Sequence, residues 1–160
     1  MLILAVLSLL ATPPAGDAGA RRMGLTVSSP EAPGAAQPSF RATSILDVQF
    51  DAVFRQRLSG DHVLEFKVYT PKGKLYQVLT VPFSGRSGAT RNQRRVAGYP
   101  RALTEREMRE KGPARYHVSA RLPVAGTWIM TNSLYGTWRV DAHVDGASAP
   151  SATEDFTLAP

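Results

Sequence analysis

Residues 64–81 read LEFKVYTPKGKLYQVLTV. Leu64, Phe66 and Val68 alternate with Glu65, Lys67 and Tyr69, the period of two that marks a half-buried strand. Thr70-Pro71-Lys72-Gly73 supplies a turn, with proline presetting one backbone dihedral and glycine providing a positive φ. Leu75–Val81 returns as the second arm of a hairpin. The same alternation recurs outward from this hairpin in both directions. Leu46, Val48 and Phe50 alternate with Asp47, Gln49 and Asp51. Tyr116, Val118, Ala120 and Leu122 alternate with His117, Ser119 and Arg121. Trp138, Val140, Ala142 and Val144 alternate with Arg139, Asp141 and His143, and Phe156 and Leu158 close the chain. Six strands follow from this pattern, with Thr127–Met130 as a seventh, and they predict an all-β antiparallel sandwich. No strand–helix–strand alternation appears, and neither GxGxxG nor GxxxxGK[ST] occurs, so a nucleotide-binding parallel sheet is excluded.

At 160 residues the chain is one domain, since a domain takes roughly 100–200. Cysteine is absent, which removes disulfides, thiolate metal sites and thiol nucleophiles. Leu2–Ala11 is apolar but shorter than the roughly 20 residues that span a bilayer. Thr12-Pro13-Pro14 breaks it, and Ala18-x-Ala20 before Arg21-Arg22 is a small-residue cleavage pattern. Residues 1–20 are therefore expected to be a signal peptide, and the chain to be secreted or periplasmic, without a transmembrane segment after cleavage. Residues 21–39 hold three prolines and many small residues and read as a flexible linker or tail, with Leu25-Thr26-Val27 available for a short edge strand. Residues 40–160 form the expected domain.

Residues 84–115 separate two strands by far more than an ordinary loop. They carry nine Lys and Arg against three Glu, a local net charge of +6 where the whole chain carries +6. Eight of the nine are arginines, whose planar forks pair with phosphate, sulfate or carboxylate. Within this insert Thr104 and Glu107 form a capping-box pattern. Glu105/Arg109 and Glu107/Lys111 are spaced i,i+4, and Gly112-Pro113 follows, so one short helix is expected. Arg86, Arg91, Arg94, Arg95 and Arg101, with Tyr99 as a stacking ring, are the candidate polyanion-binding residues.

Gly60–Glu65 running into Tyr69–Gln77, and Gly136-Thr137-Trp138-Arg139-Val140 followed by Asp145-Gly146 and Phe156-Thr157-Leu158, carry a family resemblance. They resemble bacterial immunoglobulin-like sandwich modules of the macroglobulin-type and fibronectin-III-like kind, over about 43–158 with the 84–115 insert outside. The resemblance implies an immunoglobulin-like β-sandwich that serves as a spacer, adhesive unit or interaction platform and shares no catalytic residues. Gly-Thr-Trp recurs at 126–128 and 136–138. Trp138 is expected in the core and Trp128 at a sandwich end.

Catalytic signals are sparse. Ser59, Asp61 and His62 lie within one turn, where backbone satisfaction explains them better than a triad does. His117 and His143 occupy polar phases and are expected to face solvent, although with Asp141 they could meet across paired strands around a metal. The expectation is a non-enzyme with no catalytic residues, no metal and no cofactor. Its function is that of a structural or protein-interaction module of the bacterial cell envelope, with an envelope or secreted protein as partner. The alternative is a polyanion-binding protein whose basic insert takes acidic polysaccharide or lipid phosphate; nucleic acid is disfavoured.

Overall fold

The computed structural model describes residues 23–31, 39–86, 92–113 and 115–160. The expected signal segment 1–20 and Arg91 lie outside these. The alternation read from the sequence produces β3 (Asp47–Phe54), β4 (Asp61–Tyr69), β5 (Leu75–Ser84), β10 (Tyr116–Pro123), β11 (Gly136–Val144) and β12 (Ala152–Ala159). The β4–β5 hairpin turns as expected: Gly73 N donates to Thr70 O at 2.8 Å, with Gly73 at φ 73°.

The fold is all-β and its two larger sheets pack against each other. The smaller begins with β1 (Met23–Ser28) and runs β1-β3-β10-β9, where β9 is Arg109–Glu110. The larger runs β2-β12-β11-β4-β5-β8, where β2 is Ser39–Arg41 and β8 is Arg106–Glu107. A separate ribbon pairs β6 (Gln93–Arg94) with β7 (Leu103–Thr104). Aromatic rings join the two sheets. Phe50 of β3 lies 5.8 Å from Phe66 of β4 and 5.6 Å from Phe156 of β12, and Phe54 lies 5.8 Å from Phe83 of β5. Trp138 is fully buried as expected, stacked on Phe156, with its indole N–H donating to Leu134 O at 3.0 Å.

Several expectations change. Met23–Ser28 is a strand rather than part of a linker. It pairs antiparallel with β3 and buries Met23, Leu25 and Val27. Pairing is not purely antiparallel, because β2 joins β12 and β8 joins β5 in parallel. Leu46 belongs to a bend with its side chain 64% exposed, while its carbonyl accepts from Val124 N and Ala125 N. Thr127–Met130 is not a strand: Trp128–Thr131 is a single helical turn, capped by Thr127 Oγ1 accepting from Ile129 N. Positive φ at Gly126 sharpens the entry into that turn.

The largest change concerns residues 103–111, which are extended rather than helical. β8 pairs with the edge of β5 and β9 with the edge of β10, so two successive residue pairs carry the chain from one sheet to the other. Between them Met108 is fully buried among the core side chains, and its N–H donates to Ser84 O. Strand pairing on two edges and burial of Met108 outweigh the local helix signals, because a two-turn helix is marginal without packing. The insert is therefore built into the two packed sheets rather than an appendage. Its entry is equally tight: a Cβ on Gly85 would stand 1.5 Å from the Leu58 carbonyl oxygen.

Met108→Ala is expected to lower unfolding free energy by about 2–5 kcal/mol in urea titration, the range for emptying a buried site of this size. A change below about 0.5 kcal/mol, typical of surface substitutions, would show that the insert does not share the core.

Candidate functional site

Alternation dictates both faces of the smaller sheet. Because Phe50, Ala52 and Phe54 point inward, Gln49, Asp51 and Val53 point outward. The register places Arg121 beside Gln49, Ser119 beside Asp51, and His117 between Val53 and Arg109. Asp51 is buried in this outer row. It accepts from Gln49 Nε2 at 2.9 Å and from the Ser119 hydroxyl. β9 continues the smaller sheet beside β10, and residues of this row together with residues of β8 and β9 line a cleft of about 690 Å³. Arg106, Arg109, Lys111 and Arg121 line it with a single carboxylate, Glu107. Arg121 also approaches Asp47 at 3.9 Å. A second hollow of about 480 Å³ includes the outward positions Gly24 and Val53 of the same sheet, with Arg55 and Arg115 at its rim.

His117 forms part of the cleft wall, and its Nδ1 is buried without a hydrogen-bond partner. Burial holds its imidazole below the ordinary histidine range, and the Lys111 ammonium lowers it further. Asp51 pulls the other way, and Arg115 adds a smaller lowering. The other two histidines serve the scaffold. His62 holds Asp145 through Nδ1 at 2.7 Å and Ser59 O through Nε2 at 2.9 Å, stacked on Phe83. His143 is buried rather than solvent-facing, because the turn after β11 folds over it and Ala147 O lies 2.8 Å from its Nδ1. His117 and His143 stand on different sheets and do not meet. Among the described residues no group of three or more His, Asp and Glu could hold a metal.

The candidate polyanion residues divide into two sets. Arg94 is internal: its guanidinium meets Glu105 at 3.3 Å and donates to the carbonyls of Phe83 and His62. Tyr99 is half-buried, its hydroxyl bonded to Thr80. These two side chains fix the β6–β7 ribbon to the larger sheet. Arg95 and Arg101 are exposed, and Arg86 is exposed at 3.7 Å from Asp61. None of the described candidates lines the cleft. Its residues were legible only in part: Arg106, Arg109 and Lys111 belong to the basic run, while His117 and Arg121 share one phase of a strand from a different part of the sequence.

Trp128, 72% exposed, borders a shallow hollow with Tyr76, Gln77, Asn132 and Leu134. Among the described residues no helix is long and apolar enough to cross a membrane.

No protein-family model and no curated protein matches the chain. A solved structure of a Bacteroides fragilis protein assigned as a beta-galactosidase aligns with 86% of this chain, at 10% identity and a TM-score of 0.32. The chain covers 16% of that protein's length.

Arg94→Met removes the cation from a largely buried carboxylate and from two carbonyls. Allowing for the partial exposure of Arg94, it is expected to cost about 2–3 kcal/mol in chemical denaturation. Arg95→Met, at an exposed position, is expected to stay within about 0.5 kcal/mol.

Proposed function

We propose that this chain is a non-catalytic immunoglobulin-like module, exported to the bacterial cell envelope, that binds an acidic glycan along the outer face of its smaller sheet. The observation that carries this reading is the cleft in which Arg106, Arg109, Lys111 and Arg121 surround one carboxylate. Three arginine forks and an ammonium suit sulfate or carboxylate groups on successive sugars. The recess favours a strand of polymer over a planar lipid surface, since a bilayer meets protruding cations more readily than ones lining a hollow. Arg55 and Arg115, at the second hollow of this sheet, extend the positive face beyond a single monosaccharide. Export rests on the apolar run and cleavage pattern of residues 1–20.

Point substitutions test this better than deletion, because the insert contributes Met108 to the core. Heparin and polygalacturonate are expected to bind at low ionic strength and to weaken steadily as salt rises. The double variant Arg109→Ser/Arg121→Ser should lose about tenfold or more in affinity, as expected when two charge-assisted contacts are removed. Arg95→Ser/Arg101→Ser should lose little. No binding to either polymer, or equal binding by the cleft variant, would remove this reading. Preferential binding to phosphatidylglycerol vesicles would transfer the site to lipid phosphate.

A second reading, a protein-interaction module, is favoured by the exposed indole of Trp128 on its capped helical turn. It forecasts a partner whose capture from envelope extract is lost in Trp128→Ala and retained in the cleft variant.

A further inference from the structure

We infer that glycan binding in this cleft is coupled to protonation of His117, so that affinity rises as the pH falls. This rests on the cleft being the binding site. His117 stands in the wall of the cleft directly opposite Arg109 in the strand register. Its Nδ1 is enclosed and has no acceptor, so a proton placed there on the empty protein gains no hydrogen bond.

The surrounding charges oppose that proton as well. From β9 and the residue after it come Arg109 and Lys111, and Arg115 precedes its own strand. Arg106 and Glu107 face the cleft from β8, and Arg121 from further along β10. From β3 comes Asp51, whose carboxylate raises the imidazole's proton affinity. Both its oxygens already accept hydrogen bonds, from Gln49 and Ser119. These surroundings therefore disfavour the imidazolium, with His117 standing among excess cations.

An acidic glycan reverses this balance. Its sulfates or carboxylates neutralise the cations and supply counter-charge near the imidazole, raising the histidine's proton affinity. The sign follows from linkage: the bound state holds more protons than the free state, so acidification drives binding. The window runs from below histidine's ordinary value of 6.5, where the free protein takes up its proton, to the higher value of the complex. Sulfates and sugar carboxylates stay ionised across this range, so the ligand does not itself titrate.

The experiment measures heparin affinity at fixed ionic strength from pH 8.0 to 5.5, for the wild type and for His117→Gln. The wild type is expected to tighten by about five- to tenfold, which needs a rise of about one unit or slightly more in the histidine's proton affinity, while His117→Gln stays flat. In parallel, the imidazole resonances of His117 are titrated by NMR with and without a heparin oligosaccharide. The His117 midpoint is expected to move upward on binding. An equal pH slope in His117→Gln, or a His117 midpoint unmoved by heparin, overturns the coupling while leaving the cleft as a binding site. Absence of heparin binding at every pH overturns both.

Discussion

Phe50 sits between Phe66 and Phe156, and the rest of the molecule follows from that contact. It brings β3 of one sheet against β4 and β12 of the other, where dispersion and hydrophobic burial are strongest. Once Phe50 faces inward, the pleat leaves its neighbours no choice. Gln49 and Asp51 must face outward, and the paired row of His117, Ser119 and Arg121 must join them. The floor of the basic cleft is thus the reverse side of the core. A one-residue slip in β3 would place Asp51 among the phenyl rings and dismantle floor and core together.

The wall of the cleft depends on the insert, which three kinds of contact hold in place. Met108 contributes apolar burial, β8 and β9 contribute backbone pairing on two sheets, and Arg94 with Glu105 contributes an ion pair backed by carbonyls. Each covers a weakness of the others. Two-residue strands are too short to hold by backbone bonds alone, and an ion pair of this exposure contributes little without the carbonyls it also reaches. Arginines of this segment consequently do two jobs. Arg94 points in and fixes the ribbon, whereas Arg106 and Arg109 point toward the cleft.

The strands with strict alternation and clear turns were legible in the sequence, from β3 through the β4–β5 hairpin to β12. Periodicity failed where tertiary contacts overrode local preference. Thr104 to Lys111 carries the sequence pattern of a capping box and two i,i+4 charge spacings, yet strand pairing and the burial of Met108 decide its conformation, and one methionine leaves no periodic trace. Met23–Ser28 looked like linker because small and polar residues interrupt its apolar positions, although Leu25 and Val27 already marked an edge strand. His143 misled for a similar reason: strand phase predicts the direction of a side chain but not whether a later turn will cover it. The positive charge was legible as a total and as a segment. Its arrangement was not, because the cleft draws on Arg121 and His117, which only the β10 register brings beside the insert.

Residues 106–110 have one more consequence, for solubility. Without them the edges of β5 and β10 would be unpaired at Phe83–Ser84 and Tyr116–His117 as well, lengthening the rows of backbone donors and acceptors through which β-proteins pair with copies of themselves. Arg106–Glu107 and Arg109–Glu110 occupy one end of each row, beside Phe83–Ser84 and Tyr116–His117, with strands too short and too highly charged to recruit a further neighbour. The basic insert therefore also shortens two open sheet edges. A chain shortened through this segment would lengthen those edges in the same stroke that removed its charge, so loss of binding and gain of self-association would arrive together.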